Sequence, residues 1–264
     1  MRILISNDDG VFASGLKALV SNLAGSHELT IVAPDREQSA VSHGLTIRRP
    51  LFTSDWTVAG LPALGVSGTP ADCVKLGIDQ IMADNPPDLV LTGINNGPNT
   101  GINVFYSGTV AGAMEANFLE IPAIAVSVAS FNPSHYDTAA VIAAKVVKFY
   151  EEVPFPGNNT LNINVPDLPL EQLQGVRICR QSRLKYKDHY VPKEAPNGRT
   201  YYWLDGDHPQ VNDDLSLDDC ALKKGWVSIT PVKADFNADE KIMGETAKWL
   251  NQEDLQTIFS LQHL

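Results

Sequence analysis

The stretch that decides the fold is Ile3-Leu4-Ile5-Ser6-Asn7-Asp8-Asp9-Gly10. Its uninterrupted apolar run is too short for a helix and stops abruptly in a polar, glycine-ended turn, which reads as a buried strand meeting its carboxyl end. Just downstream, Leu16, Leu19, Val20 and Leu23 recur at helical spacing, predicting a helix from about residue 14 to Gly25. Residues 29–32 supply a second apolar run. Strand, helix and strand in roughly thirty residues form a βαβ unit, whose strands must run parallel.

Working outward, the alternation continues. Residues 88–92 and 123–128 read as further parallel strands, 161–165 as a last run of the same kind, and 227–230 as a late strand. Residues 34–50 form a longer loop. Thr69-Pro70 looks like an N-cap with proline at the first helical position, opening a helix whose inner face carries Cys73, Val74, Gly77, Ile78 and Ile81. Residues 139–150 give another amphipathic helix, and 245–261 look helical. The predicted class is α/β, a Rossmann-like, mostly parallel sheet with helices on both faces. Beyond residue 155 the pattern loosens around Pro154, Pro156, Pro166 and Pro169, so we divide the chain into a 1–155 catalytic core and a smaller 156–264 portion that completes the sheet. In that portion, residues 177–199 hold seven Lys or Arg interleaved with Tyr186 and Tyr190, read as a solvated hairpin or oligomer contact rather than a nucleic-acid patch.

Composition narrows the function. A length of 264 residues allows one large domain or a domain with an appendage, and no apolar stretch approaches a membrane span. The net charge of −11 argues against a general nucleic-acid surface, although a locally positive or metal-bearing site can still hold one small phosphate. Cys73, Cys179 and Cys220 are odd in number and widely spaced, which fits a reducing compartment; with no apolar leader before Asp8, the expected location is cytoplasmic.

No GxGxxG follows the first strand, and GxxxxGK[ST], HExxH and GxSxG are missing, so dinucleotide redox chemistry, P-loop hydrolysis, zinc proteolysis and nucleophile-elbow hydrolysis lose their usual signatures. In doubly wound sheets the working loops lie beyond the carboxyl ends of the strands. The first exit carries Asp8 and Asp9, adjacent carboxylates that repel unless a cation or strong donors sit between them; an ordinary polar turn would also use these residues. The second exit offers Ser39. The third runs Gly93-Ile94-Asn95-Asn96-Gly97-Pro98-Asn99-Thr100-Gly101, rich in amide groups and in glycines that permit close backbone approach. Ser107-Gly108-Thr109 then opens a helix whose free N–H groups suit an anion, or whose hydroxyls simply cap it. Asp8, Asp9, Asn95 and Ser39 together would present only oxygens, the preference of Mg²⁺, Mn²⁺ or Ca²⁺. A hard cation beside an anion-binding helix start suits phosphomonoester hydrolysis. Among His27, His43, His135, His189, His208 and His263 no ligand spacing is found; His43 alone sits near an exit.

The motifs Ser6-Asn7-Asp8-Asp9-Gly10, Ala33-Pro34-Asp35-Arg36 with Ser39, Gly68-Thr69-Pro70, Gly93-Ile94-Asn95-Asn96-Gly97 and Tyr106-Ser107-Gly108-Thr109-Val110 resemble the SurE survival-protein family. The resemblance extends through residues 161–166 and 225–231. It implies a metal-dependent 5′/3′-nucleotidase acting on nucleoside monophosphates, with one divalent ion (Mg²⁺ or Mn²⁺) per subunit bound by Asp8, Asp9, Ser39 and Asn95. It also implies a C-terminal hairpin and tail that assemble homodimers or homotetramers. On that basis Ser107, Gly108 and Thr109 are expected to hold the phosphate, Asn96 to add a side-chain donor, and Asp8 or Asp9 to serve as base toward an attacking water. The chain departs from the family at Ser216-Leu217-Asp218, where members usually carry Gly-Thr-Asp. Two other classes compete. A phosphoacceptor signalling domain needs an aspartate at the third exit, where this chain has Asn95 and Asn96; a non-catalytic nucleotide-binding module would bind the same ligand without releasing phosphate.

Overall fold

Strand β1 (Arg2–Ser6) is enclosed at Ile3, Leu4 and Ile5, as its unbroken apolar run requires. The structure, a computed structural model, describes residues 1–153, 160–183, 187–207, 213–233, 235, 237 and 239–249. After β1 come α1 (Ser14–Leu23), β2 (Glu28–Pro34), β3 (Thr53–Val58), β4 (Leu61–Val66), α2 (Pro70–Leu76), β5 (Leu89–Asn96), α3 (Gly108–Phe118), β6 (Ala123–Val128) and α4 (Tyr136–Glu152). They are followed by β7 (Thr160–Val165), β8 (Gly175–Ile178), β9 (Lys187–Glu194), β10 (Thr200–Asp207), α5 (Asp218–Lys223), β11 (Trp226–Val232) and α6 (Glu240–Trp249).

Among the described residues, nine strands form one sheet in the order β3-β4-β2-β1-β5-β6-β7-β11-β8, and β9 pairs with β10 in a separate antiparallel hairpin. Strands β4 through β7 in that order are all parallel, while β3 and β11 run antiparallel to β4 and β7. Alternation of side chains across the sheet divides the core in two. Ile3, Ile5, Leu91 and Val126 pack with Leu16, Leu19 and Val20 of α1 and with Ala140 and Ala143 of α4. On the opposite face Leu4, Val32, Val90 and Ala125 pack with Cys73 and Val74 of α2 and with Val110 and Ala113 of α3. The α/β class with helices on both faces is therefore what the chain adopts.

Several elements depart from the sequence reading. Residues 51–66, assigned no structure there, form the β3–β4 hairpin; β3 is exposed at five of its six positions, so no buried alternation marked it. Strand β5 runs on through Gly93-Ile94-Asn95-Asn96, read from sequence as loop, with its register to β6 shifting between Thr92 and Asn95. Helix α2 ends at Leu76 and passes into a wider π-type turn over Gly77–Ile81. That change of pitch rotates Ile81 out of the inner face, leaving it 48% exposed rather than buried with Cys73 and Val74.

The sheet carries on past residue 155 through β7, β8 and β11, and residues 1–233 make one compact unit. Residues 234–264 make a second unit, whose described part includes α6. The helix expected at 245–261 coincides with α6 as far as Trp249; its remainder, like Tyr186, His208 and His263, lies outside the described residues. Among the described residues no helix is long and apolar enough to cross a membrane.

Candidate active site

From β1 the chain builds the sheet outward in one direction through β2 and β4, then returns to β1's other side and builds through β5, β6 and β7. The reversal between β1 and β5 opens a crevice beyond their carboxyl ends. Asp8 and Asp9 leave β1 at this point, while Asn95 and Asn96 are the last residues of β5.

Asp8 is 4% exposed. Its Oδ2 accepts the Thr109 N–H at 3.0 Å and its Oδ1 accepts the Thr109 hydroxyl, a clasp that fixes the start of α3 to the end of β1. Such close approach needs a residue without a side chain at 108: a Cβ on Gly108 would lie 3.0 Å from the Asp8 Cβ and 3.1 Å from its Oδ2. Ser107 caps the helix, its Oγ accepting the Val110 N–H at 3.0 Å, while its own N–H donates to the Asn103 carbonyl. Both donors of Thr109 are thus engaged, and the Gly108 N–H has no hydrogen-bond partner among the described residues.

Asp9 accepts the Asn96 backbone N–H on Oδ2 at 3.1 Å. Burial first, and the charge of Asp8 second, push its carboxyl up to about 7. Burial likewise raises Asp8, against the Thr109 hydrogen bonds that favour its ionised form, and Glu37 adds a further raising effect on both. Asn95 donates from Nδ2 to the Gly97 carbonyl at 2.7 Å, which commits the nitrogen of the amide and leaves its oxygen for another partner. The Asn96 Oδ1 accepts the Tyr136 hydroxyl. Gln38 donates its N–H to the Asp8 carbonyl at 2.7 Å and so holds the second exit loop against the first; the adjacent Ser39 is exposed and its hydroxyl donates to Glu37 Oε1 at 2.5 Å.

The crevice therefore gathers Asp8, Asp9, Asn95, Asn96 and the Ser107–Thr109 helix start, with Ser39 on a loop tied to Asp8 through Gln38. These donors fit a hard divalent cation. They are oxygens, and the buried Asp8 and half-buried Asp9 carboxyls are held above their ordinary pKa by desolvation, with the charge of Asp8 adding to the effect on Asp9, a cost that a dication would relieve. Among the described residues no three His, Cys, Asp or Glu side chains converge as a cage, so such an ion would rest on two carboxylates and neutral oxygens.

Sequence reasoning missed Glu37, which lies in the 34–50 loop, and Tyr136, whose contact spans 40 residues and leaves no local signal. His43, singled out for its position, pairs with the buried Glu115 at 2.9 Å and stacks on Phe118. Lys75 closes the same cluster, donating to Glu115 at 2.6 Å. Asp218, in the divergent late segment, is buried and accepts N–H groups from Gly101 at 3.0 Å and Ser182 at 2.9 Å, anchoring the turn that leads to Ser107.

Comparison with known proteins accords with this geometry. Residues 3–188 match the model of the family described as Survival protein SurE. The chain belongs to the SurE family. The protein named 5′-nucleotidase SurE from Carboxydothermus hydrogenoformans is 45% identical to it over 256 residues, covering 95% of this chain and 96% of that protein. That of Vibrio vulnificus strain CMCP6 is 41% identical, covering 96% and 97% respectively. The crystal structure of the SurE protein from Aquifex aeolicus matches with a TM-score of 0.84 at 35% identity, over 95% of this chain and 100% of that one. In the SurE fold described here, the family-model match reaches past β8 to the start of β9 and so takes in every residue of the crevice.

Proposed function

We propose that this SurE chain is a phosphomonoesterase that hydrolyses nucleoside 5′-monophosphates, and also 3′-monophosphates, to nucleoside and phosphate with one Mg²⁺ or Mn²⁺ per subunit. The names of its relatives support the 5′ activity. The single observation that carries the reading is the Asp8–Thr109 clasp, which sets the buried Asp8 carboxylate, beside the half-buried Asp9, against the first residues of α3.

Asp8, Asp9, Asn95 and Ser39 are the residues that would hold the cation, which when bound would neutralise phosphate oxygens and lower the pKa of a coordinated water. The Gly108 N–H, at the positive end of α3, is free to take a phosphate oxygen, and Ser107 and Thr109 keep it aimed by capping the helix and clasping Asp8. Asn96 adds a side-chain donor. Asp8 spends both oxygens on Thr109, whereas Asp9 accepts one backbone N–H, so Asp9 is the better placed to take a proton from the attacking water.

The exposed Tyr190, Tyr202, Trp203 and Leu204 of the β9–β10 hairpin support assembly into homodimers or homotetramers through this arm. Cys73, Cys179 and Cys220, all buried thiols, support a reducing, cytoplasmic setting. The functional test is phosphate release from matched 5′- and 3′-monophosphates before and after exhaustive chelation. Release abolished by chelation and restored by Mg²⁺ or Mn²⁺ is expected; full turnover by metal-free protein, or no turnover of either ester with metal, would overturn the proposal.

A further inference from the structure

The side-chain amide of Asn96 has nearly equivalent ends: turned one way it shows two donors to the crevice, turned the other way an acceptor. An acceptor there would repel both the Asp9 carboxylate and an anionic ester. Something must hold the amide in the useful orientation, and the backbone cannot, because the Asn96 N–H is already committed to Asp9. The Tyr136 hydroxyl donates to Asn96 Oδ1, which fixes the oxygen at the far end and leaves the donor group for the crevice.

Tyr136 is itself rigidly placed. It is the first residue of α4, and the two residues before it are gripped by Asp167, which accepts the Ser134 N–H at 3.0 and 3.1 Å and the His135 N–H at 2.8 Å, and pairs with His135 Nδ1 at 3.0 Å. On the other side its ring lies against Gly15 of α1. A Cβ at that position would stand 2.0 Å from the Ile94 carbonyl oxygen and 3.2 Å from Tyr136 Cε1, so a bare backbone at 15 lets α1, β5 and the tyrosine ring close on one another. We propose that Tyr136 is a positioning residue that orients the Asn96 amide toward the phosphate ester. This rests on the phosphomonoesterase reading above and adds to that site a residue from a separate helix.

The test compares wild type, Tyr136→Phe, Asn96→Ala and the double variant on a nucleoside 5′-monophosphate with Mn²⁺. Phenylalanine keeps the ring against Gly15 and removes only the hydroxyl. Tyr136→Phe is expected to lower kcat about tenfold, the worth of one directed hydrogen bond, with KM changed less than about twofold and the melting temperature nearly unmoved. In the Asn96→Ala background the same change is expected to cost nothing more, because the group it orients is gone. Wild-type kcat in Tyr136→Phe, or losses that multiply in the double variant, would overturn the assignment while leaving the phosphomonoesterase reading intact. A wild type that releases no phosphate would instead overturn that reading and this inference with it.

Discussion

Asp8 and Thr109 are 101 residues apart in sequence, yet two hydrogen bonds between them set the floor of the crevice. A buried carboxylate stripped of such donors bears its full desolvation cost. Thr109→Val is therefore expected to destabilise the protein by roughly 1–3 kcal/mol in a urea titration and to lower phosphate release in parallel. Glu115 allows a pH test away from the crevice. Burial would raise its carboxyl, but hydrogen bonds and charge from His43 and Lys75 outweigh that and hold it below its ordinary 4.5. A depressed folded-state pKa means the group stabilises the fold above its unfolded value and loses that contribution as pH falls through the folded one. Melting curves of wild type and Glu115→Gln should differ at every pH above the ordinary carboxylate range and converge as pH falls below it. Among individual residues, Asp8, Asp9, Asn95 and Ser107 were legible because each sits at a strand exit or helix start. The division of labour among them was not. Sequence could not show that Thr109 spends its N–H and hydroxyl on Asp8, leaving Gly108 as the open donor.

At the scale of elements, legibility followed burial. Strands β1, β5 and β6 are enclosed on both faces and read from their apolar runs. Strand β3, Thr53-Ser54-Asp55-Trp56-Thr57-Val58, lies at the sheet edge, where exposure removes the constraint that creates a pattern. Thr69-Pro70 was readable as a helix start, and the structure completes it: Thr69 and Asp72 form a reciprocal capping box, and the Thr69 hydroxyl also donates to the Gly44 carbonyl at 2.7 Å. Thr69→Ala is expected to cost about 1 kcal/mol, measured as a shift in urea midpoint with unchanged slope. Gly15→Ala should cost about 1–3 kcal/mol for the opposite reason, since a methyl group must separate α1 from the Ile94 carbonyl. An ordinary, unperturbed melting temperature for Gly15→Ala would show that α1 does not press on β5 as described.

At the scale of the molecule, strand order gives the separate residues a common purpose. The first βαβ unit, read from the opening residues, placed two carboxylates at a strand exit; only the full order, with β5 beside β1, brings Asn95 and Asn96 to meet them. Long-range strand pairing of this kind has no local signature, which is why the crevice was inferable from sequence as a rule about doubly wound sheets and not as a set of contacts. The central claim, that this meeting point holds one divalent ion and a phosphate ester, is tested most directly by a crystal soaked with Mn²⁺ and inorganic phosphate and measured at the manganese absorption edge. One anomalous peak per subunit is expected between Asp8, Asp9 and Asn95, with phosphate density reaching the Gly108 N–H. A peak elsewhere, or phosphate bound away from the α3 start while Asp8 and Asp9 carry no metal, would contradict it.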